Sequence, residues 1–247
     1  MRLKYKLIKS KNFLKKFPKL ISLMRCIRRK IFKSRIIYFL QSSTKPLSDY
    51  YGFDRGKPID RFYIDNFLED NKDDIKGVCL ELLNNNYTIQ YGGAKVTKSD
   101  ILDLDEANSK ATIIDDLRKL EKISDNIYDC IILTQVLQFI DKIDEAISEC
   151  YRILNKNGVL LVTLPAISRI DCVAGVEGDF WRFTEASTKY LFKKKFDSQN
   201  ISIITKGNVR AGIYFYAGLA QEDILRDSLK KDDQNFPVII TIKAIKK

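Results

Sequence analysis

Tyr128-Asp-Cys-Ile-Ile-Leu-Thr-Gln-Val-Leu-Gln-Phe-Ile140 is followed by a charged segment and then by Arg152-Ile-Leu-Asn-Lys-Asn-Gly-Val-Leu-Leu-Val-Thr-Leu-Pro165. The run from Cys130 to Leu133 is apolar on both sides and too short for a helix, which is typical of a strand covered on both faces. The charged segment between the two stretches has apolar residues at helical spacing. Asn157-Gly158 favours a left-handed helix end, and a second buried strand follows. The sequence therefore predicts a βαβ unit with parallel strands and a right-handed crossover.

The order of these elements also carries a family resemblance. In class I S-adenosylmethionine-dependent methyltransferases, a Phe-Asp step opens a strand, and after a helix an Arg-Val-Leu-Lys-Pro-Gly-Gly turn leads to a strand that ends in Pro. Tyr128-Asp129 and the segment from Arg152 to Pro165 resemble that pattern. The chain is most similar to small, type 11-like methyltransferases encoded beside glycosyltransferases in bacterial polysaccharide clusters, from about Tyr50 to the C-terminus.

This resemblance implies the fold class and the cofactor. The fold expected is α/β, with a Rossmann-like, seven-stranded, mostly parallel sheet that has an antiparallel last strand and is flanked by helices. The sequence also predicts a third strand over residues 111–117 and a mostly helical segment over residues 208–229. The implied cofactor is S-adenosyl-L-methionine. The implied acceptor is a small molecule or a glycan.

Charge divides the chain into two parts. Its 247 residues suit one α/β domain plus an appendage. Residues 1–48 contain fifteen Lys or Arg and no acid, and the remainder contains 28 basic and 32 acidic residues, a net charge of −4. We therefore expect a basic amphipathic helical extension and linker in residues 1–45, and a methyltransferase-like domain in residues 46–247.

Two partners fit the basic extension. Residues 1–40 have an apolar stripe at helical spacing surrounded by Lys and Arg, which is typical of a helix that lies on an anionic membrane surface. The alternative is a helix that packs on the domain or on a partner with its charges solvated. A pI near 9.3 is typical of nucleic-acid binding, but the acidic remainder disfavours that partner.

Composition also indicates the compartment. The five cysteines form no Cys-x-x-Cys pair, and three of them fall in apolar strands or helix faces, so we expect small core residues in a reducing compartment. No apolar run reaches the length of about 18 residues that a membrane span needs. We expect a cytoplasmic protein, with peripheral contact at the inner face of the membrane through the extension and with no metal cluster.

The first residues expected to bind the cofactor follow the strand from Val78 to Leu83. Open α/β sheets bind ligands beyond the carboxyl ends of their strands. By resemblance, Glu81 matches the acid of the family motif Glu/Asp-x-Gly-x-Gly-x-Gly, whose glycines are absent here. Leu83 adds bulk where a glycine is usual, whereas Asn84 and its neighbours tolerate the left-handed conformations that such a loop needs.

The next two strands are expected to provide contacts to the nucleoside. Asp105 is our choice to accept hydrogen bonds from both ribose hydroxyls, with Asp103 in reserve. By resemblance, Asp116 accepts the adenine amino group and Leu117 packs on the ring. The alternative for Asp116 is a surface carboxylate that caps the next helix.

The fourth strand ends in the polar pair Thr134 and Gln135, inside an apolar run. Polar groups in such a position cost free energy unless they are satisfied, so we expect both to face the cofactor or another ligand. A helix cap is the alternative.

The loop from Gly175 to Thr184 contains the only Trp. Trp181 and Arg182 suit a sugar or another polar ligand, because they combine an aromatic face with a guanidinium group. Related proteins share a Gly-Asp-x-Trp-Arg-Phe-Thr string here, and burial in the core is the alternative. The chain has no His, so Glu177 and Asp179 are the carboxylates expected to accept a proton from the acceptor.

Three functional hypotheses follow. The first is a methyltransferase that acts on a small molecule or glycan in surface polysaccharide biosynthesis. The second is a non-catalytic binding protein with the methyltransferase fold, which the missing glycines favour. The third is a nucleic-acid methyltransferase, which the acidic domain and the absence of an Asn/Asp-Pro-Pro-Tyr/Phe motif disfavour.

Overall fold

The computed structural model describes residues 42–247. The extension expected in residues 1–40, and its contact with a membrane, therefore lie outside the described residues. Seven strands are formed: β1 (Gly77–Leu82), β2 (Val96–Asp103), β3 (Ile113–Ile114), β4 (Tyr128–Thr134), β5 (Leu154–Pro165), β6 (Ile201–Lys206) and β7 (Ile239–Ile245).

The strands make one sheet in the order β3-β2-β1-β4-β5-β7-β6. Neighbouring strands from β3 to β5 pair in parallel, whereas β7 pairs antiparallel with both β5 and β6. The predicted seven-stranded, mostly parallel sheet with an antiparallel last strand is confirmed.

Helices cover both faces of the sheet. They are α1 (Ile59–Asp70), α2 (Ile143–Ile153), the single turn α3 (Gly175–Gly178), α4 (Glu185–Phe192) and α5 (Val209–Tyr216). One apolar cluster packs α2 and α4 on the sheet through residues such as Ile147 and Phe192. A second cluster packs α1 and α5 on the opposite face through residues such as Ile64 and Phe215. The result is a three-layer α/β/α domain.

The βαβ unit of β4, α2 and β5 is present, with one correction. Asn157 has the left-handed φ of 64° that its sequence favours. However, α2 ends at Ile153, so Asn157 lies within β5 and not at the helix end. The β4–β5 pairing moves from Tyr128 opposite Leu154 to Cys130 opposite Val159, so the residues around Asn157 form an irregularity in the register.

The step Tyr128-Asp129 connects the start of β4 to three other strands, β1, β2 and β5. The buried Tyr128 hydroxyl donates to Asp100 of β2 at 3.0 Å. The Asp129 carboxylate accepts from the Val78 amide at 2.9 Å and from Asn155 Nδ2 at 2.8 Å. Gly77 has φ of 66°, and a Cβ there would lie 2.1 Å from Asp129 Oδ2, so this approach requires glycine.

Two predicted elements are shorter than expected. The third strand, expected over residues 111–117, is reduced to Ile113–Ile114. The segment 208–229, expected to be mostly helical, contains α5 and one 3₁₀ turn at Arg226–Leu229. Within residues 42–247, no helix combines the length and the apolar character that crossing a membrane requires.

Candidate functional site

A cavity of about 350 Å³ opens at the carboxyl ends of β1, β2 and β4, beside the loop after β3. We call it the edge cavity. Its apolar wall consists of Leu82, Leu83, Leu102, Leu104, Leu117, Val136, Phe139, Ile140 and Phe180. Its polar side consists of Asp103, Asp115, Asp116, Arg118, Gln135 and Asp141. Cavities of this size with a few convergent polar groups are typical of small-molecule sites.

The edge cavity brings together three of the residues expected to bind the cofactor: Asp116, Leu117 and Gln135. Leu117 is buried in the wall. Gln135 has a left-handed φ of 56°, which is uncommon for a residue other than glycine. Its Nε2 lies 3.4 Å from Thr163 Oγ1, so the side chain spans from the end of β4 to β5. Such strain is typical of functional sites.

Asp103, the reserve choice for the ribose, lines the cavity, whereas Asp105 does not. Asp103 Oδ1 accepts from the Asp105 amide at 3.0 Å, and Oδ2 accepts from Asn108 Nδ2 at 2.6 Å. One partner on each oxygen leaves each with capacity for a further donor. Asp105 Oδ1 instead accepts from the Ala107 amide at 2.8 Å in a surface turn. The geometry thus favours Asp103 over Asp105.

The other expected cofactor ligands do not line the edge cavity. The buried Glu81 carboxylate accepts from the amide and hydroxyl of Thr88, both at 2.8 Å, and so holds the π-helical turn Thr88–Gly92. Burial raises the pKa of Glu81, and these hydrogen bonds oppose the rise. Asn84 accepts from the Asn86 amide at 3.1 Å, and Thr134 is half-buried at the end of β4. Roles for these residues at the cofactor stay predictions.

Sequence reasoning missed Arg118, which forms a clasp between Asp116 and Asp141 at the cavity. Asp116 Oδ1 accepts from the Arg118 amide at 2.8 Å and from Nε at 3.1 Å, and Oδ2 accepts from Nη2 at 2.6 Å. Arg118 Nη1 donates to Asp141 at 2.8 Å. Hydrogen bonds from Arg118 hold the pKa of both carboxyls below their usual range. The sequence feature that could have identified this pairing is the basic residue two positions after Asp116.

Leu83 lies at the rim of the edge cavity, where the family motif has glycine. Its φ is 66° and its residue exposure is 58%. A left-handed conformation costs a side-chain-bearing residue about 1 kcal/mol. The loop therefore keeps a backbone conformation that glycine adopts readily, but with a leucine side chain in solvent.

The geometry argues against the roles expected for Asp179 and Arg182. The Asp179 side chain is only 2% exposed, and its oxygens pair with Arg182 Nη1 and Nη2 at 2.6 and 2.8 Å. Arg182 also donates to the carbonyls of Ser168, Arg169 and Trp181. Both charged groups therefore stabilise the loop. A buried carboxylate that is paired with a guanidinium is also poorly placed to accept a proton from a substrate.

Trp181 and Glu177 are accessible. The Trp181 residue is 42% exposed, so burial in the core is excluded, and its Nε1 donates to the Ile140 carbonyl at 2.9 Å. It lines a second cavity of about 560 Å³. Glu177 is exposed on α3, outside the two cavities just described.

Comparisons with known proteins agree with this architecture. Residues 77–162 match a family model described as "Methyltransferase domain". Among solved structures, the N-methyltransferase NodS from Bradyrhizobium japonicum WM9, in complex with S-adenosyl-L-homocysteine, has 10% identity and a TM-score of 0.50, over 81% of this chain and 93% of that chain. A SAM-dependent methyltransferase from Archaeoglobus fulgidus has 12% identity and a TM-score of 0.48, over 75% and 90%.

A third similar structure is phosphoethanolamine N-methyltransferase 2 from Haemonchus contortus in complex with S-adenosyl-L-methionine. It has 14% identity and a TM-score of 0.46, over 69% of this chain and 49% of that chain. No curated protein matches the sequence. The family model covers residues 77–162, and the fold shared with NodS is that of class I S-adenosylmethionine-dependent methyltransferases. The cofactor of that class is S-adenosylmethionine.

Proposed function

We propose that the protein transfers a methyl group from S-adenosylmethionine to an oxygen or nitrogen atom of a small molecule or glycan in surface polysaccharide biosynthesis. The observation that carries the cofactor site is the edge cavity, with its apolar wall and its polar groups. A nucleoside needs an apolar slot for the base and acceptors for the ribose hydroxyls and the amino group. The edge cavity has residues of both kinds.

The polar groups of the cavity fit this ligand in order along the sheet. The Asp103 carboxylate has one remaining acceptor position on each oxygen, which suits a vicinal diol. Asp116 and Leu117 lie in the loop after β3 and suit the edge and the face of an adenine ring. Gln135 lies at the end of β4, where the amino-acid end of the cofactor would extend.

Bound S-adenosylmethionine supplies a methyl group that is already activated on a sulfonium. The protein then has to align the acceptor with that group and exclude water, which can supply several kcal/mol of the barrier. An amine acceptor attacks as the free base. A hydroxyl acceptor must lose its proton, and Glu177 stays the carboxylate that the sequence predicts for this role, although it lies on α3 outside the edge cavity.

The acceptor class and the cellular location rest on other features. The resemblance to methyltransferases of polysaccharide clusters and the exposed Trp181 support a glycan acceptor. The fifteen basic residues within residues 1–48 support peripheral contact with an anionic membrane, where lipid-linked sugars are assembled. We propose a cytoplasmic protein that works at that surface.

Calorimetric titration with S-adenosylhomocysteine tests the cofactor site. We expect micromolar binding, and at least a tenfold weaker Kd in Asp103→Asn, a loss of about 1.4 kcal/mol. Asp105→Asn is the matched control and should change Kd less than about twofold. A larger effect at Asp105 would reverse the ribose assignment. A natively folded protein that binds no cofactor would overturn the proposed activity and favour a binding role.

A further inference from the structure

A groove adjoins the edge cavity on the side of α2 and α4. We call it the aromatic groove: the cavity of about 560 Å³ whose lining includes Trp181, Tyr190, Asp141, Asp144, Glu145 and Ser187. Its walls come from the loop after β5, from the start of α2 and from α4. The proposed function places neither the cofactor nor the reacting group of the acceptor in this groove.

Trp181 is anchored in this groove by hydrogen bonds to the segment that follows β4. Its Nε1 donates to the Ile140 carbonyl at 2.9 Å, and its backbone amide lies 3.3 Å from the Gln138 carbonyl. Since the indole N–H is already satisfied within the protein, the accessible part of the side chain is its apolar face. An exposed and immobilised indole loses little conformational entropy when a ligand stacks on it.

Tyr190 adds a second aromatic surface from a separate element. It is 67% exposed on α4. Lys194 Nζ lies 4.4 Å from the centre of its ring and also pairs with Asp144 at 2.6 Å. The lysine thus connects the aromatic ring to the start of α2. Two exposed aromatic rings in one groove are typical of sites that stack apolar ring faces.

The charges in the groove compensate one another. Asp141 pairs with Arg118 at 2.8 Å, Asp144 with Lys194 at 2.6 Å, and Glu145 with Lys142 at 3.2 Å. Neither an anion nor a cation finds an unpaired opposite charge there. The paired carboxylates still have acceptor positions for hydroxyl donors. A neutral ligand with many hydroxyls and apolar ring faces therefore fits the groove best.

The aromatic groove is distinct from the edge cavity but adjoins it. Asp141 lines both cavities, and of the adjacent residues Phe180 and Trp181, the first lines the edge cavity and the second the aromatic groove. We propose that the aromatic groove binds one sugar ring of an extended neutral glycan. The neighbouring sugar of the same glycan would be the one that is methylated at the edge cavity. This inference rests on the proposed function, because it identifies the acceptor as a chain of sugars.

The fluorescence of the single tryptophan provides a direct test, because Trp181 is the only Trp in the sequence. The full chain, without cofactor, is titrated with maltohexaose, cellohexaose, mannohexaose and chitohexaose, and with the corresponding monosaccharides. We expect at least one hexasaccharide to change the emission saturably below about 10 mM, and its monosaccharide to bind about tenfold more weakly.

Two variants separate the groove from nonspecific effects. Tyr190→Ala should raise the Kd of the hexasaccharide about fivefold or more, because the substitution removes one stacking surface. Phe236→Ala removes another exposed aromatic side chain, which does not line the groove, and should leave the Kd unchanged. Equal effects of the two substitutions, or no response to any hexasaccharide by the folded protein, would overturn the proposal. Saccharide binding by a protein that fails to bind S-adenosylhomocysteine would instead overturn only the proposed activity.

Discussion

Arg118 donates hydrogen bonds to Asp116, the carboxylate that is expected to accept a hydrogen bond from the adenine amino group. Both oxygens of Asp116 already accept hydrogen bonds from Arg118, and the guanidinium also pairs with Asp141. A carboxylate offers about four acceptor positions. Under the proposed assignment, binding of the adenine amino group to Asp116 would require Arg118 to release at least part of that carboxylate and to keep Asp141 as its partner.

Arg118→Met should strengthen S-adenosylhomocysteine binding about three- to fivefold. The substitution frees Asp116, and opening an exposed ion pair costs up to about 1 kcal/mol. Calorimetry is the measurement, with Lys119→Met as a neighbouring control that lies outside the edge cavity. The gain should vanish in the background of Asp116→Asn. Weaker binding in Arg118→Met would mean that the guanidinium itself contacts the cofactor.

Leu83→Gly should raise the free energy of unfolding by about 1 kcal/mol, because glycine adopts φ of 66° without the cost that leucine has. For a domain of this size the midpoint of thermal unfolding should rise by about 2–4 °C. Leu104→Gly is the control: it is also an exposed leucine of the cavity wall, but it is not among the residues with positive φ. That control should lower the midpoint, and equal losses in both variants would contradict the strain assigned to Leu83.

At the level of elements, Arg152 in the last turn of α2 holds the loop before β4. Its Nη1 and Nη2 donate to the carbonyls of Ile123 and Leu120, both at 2.8 Å. The same guanidinium pairs with Glu149 and Asp125, both at 2.7 Å. One side chain thus fastens the loop before β4 to the helix after it.

Arg152→Lys should lower the free energy of unfolding by about 2 kcal/mol. A lysine keeps the charge but lacks the planar fork that reaches two carbonyls and two carboxylates at once. Urea denaturation is the measurement, and Arg210→Lys, at an exposed position of α5, should change stability by less than about 0.5 kcal/mol. A loss below that limit in Arg152→Lys would show that the loop is held by other contacts.

The βαβ unit was predictable because its pattern is local and periodic. The buried residues of α2, Ile143, Ala146, Ile147, Cys150 and Ile153, are those that helical spacing selects. β3 was overestimated, because only Ile113 and Ile114 pair with β2, whereas the following residues turn toward the edge cavity. A pattern of apolar residues does not reveal where pairing stops.

The site was less predictable than the fold, for a physical reason. The end of β2 fixes Asp103 at the cavity, and two further residues of loop are enough to move Asp105 into a surface turn. The pairing of Asp179 with Arg182 and of Asp116 with Arg118 depends on side-chain directions in irregular loops. Periodicity carries no information about such directions.

At the level of the whole molecule, charge is separated along the chain. Residues 1–48 carry all the excess of positive charge, whereas the remainder has a net charge of −4. Electrostatic attraction to an anionic surface would therefore orient the molecule with its first residues toward that surface.

The full chain should bind vesicles that contain phosphatidylserine more tightly than neutral vesicles. Replacing Arg28, Arg29 and Lys30 by Gln should weaken that binding at least tenfold, since each basic residue near the surface contributes about 1 kcal/mol. The control replaces Lys189, Lys193 and Lys195 by Gln, which removes the same charge from the end of α4. Vesicle sedimentation is the measurement, and equal losses in the two variants would contradict a role for the extension.

The most direct measurement is a crystal structure of the full chain with S-adenosylhomocysteine. We expect the ligand in the edge cavity, with both ribose hydroxyls within hydrogen-bond distance of Asp103 and the adenine amino group on Asp116. Arg118 should retain its contact with Asp141 and have released part of Asp116. An edge cavity without ligand at saturating concentration, or S-adenosylhomocysteine bound away from Asp103 and Asp116, would contradict this assignment of the site.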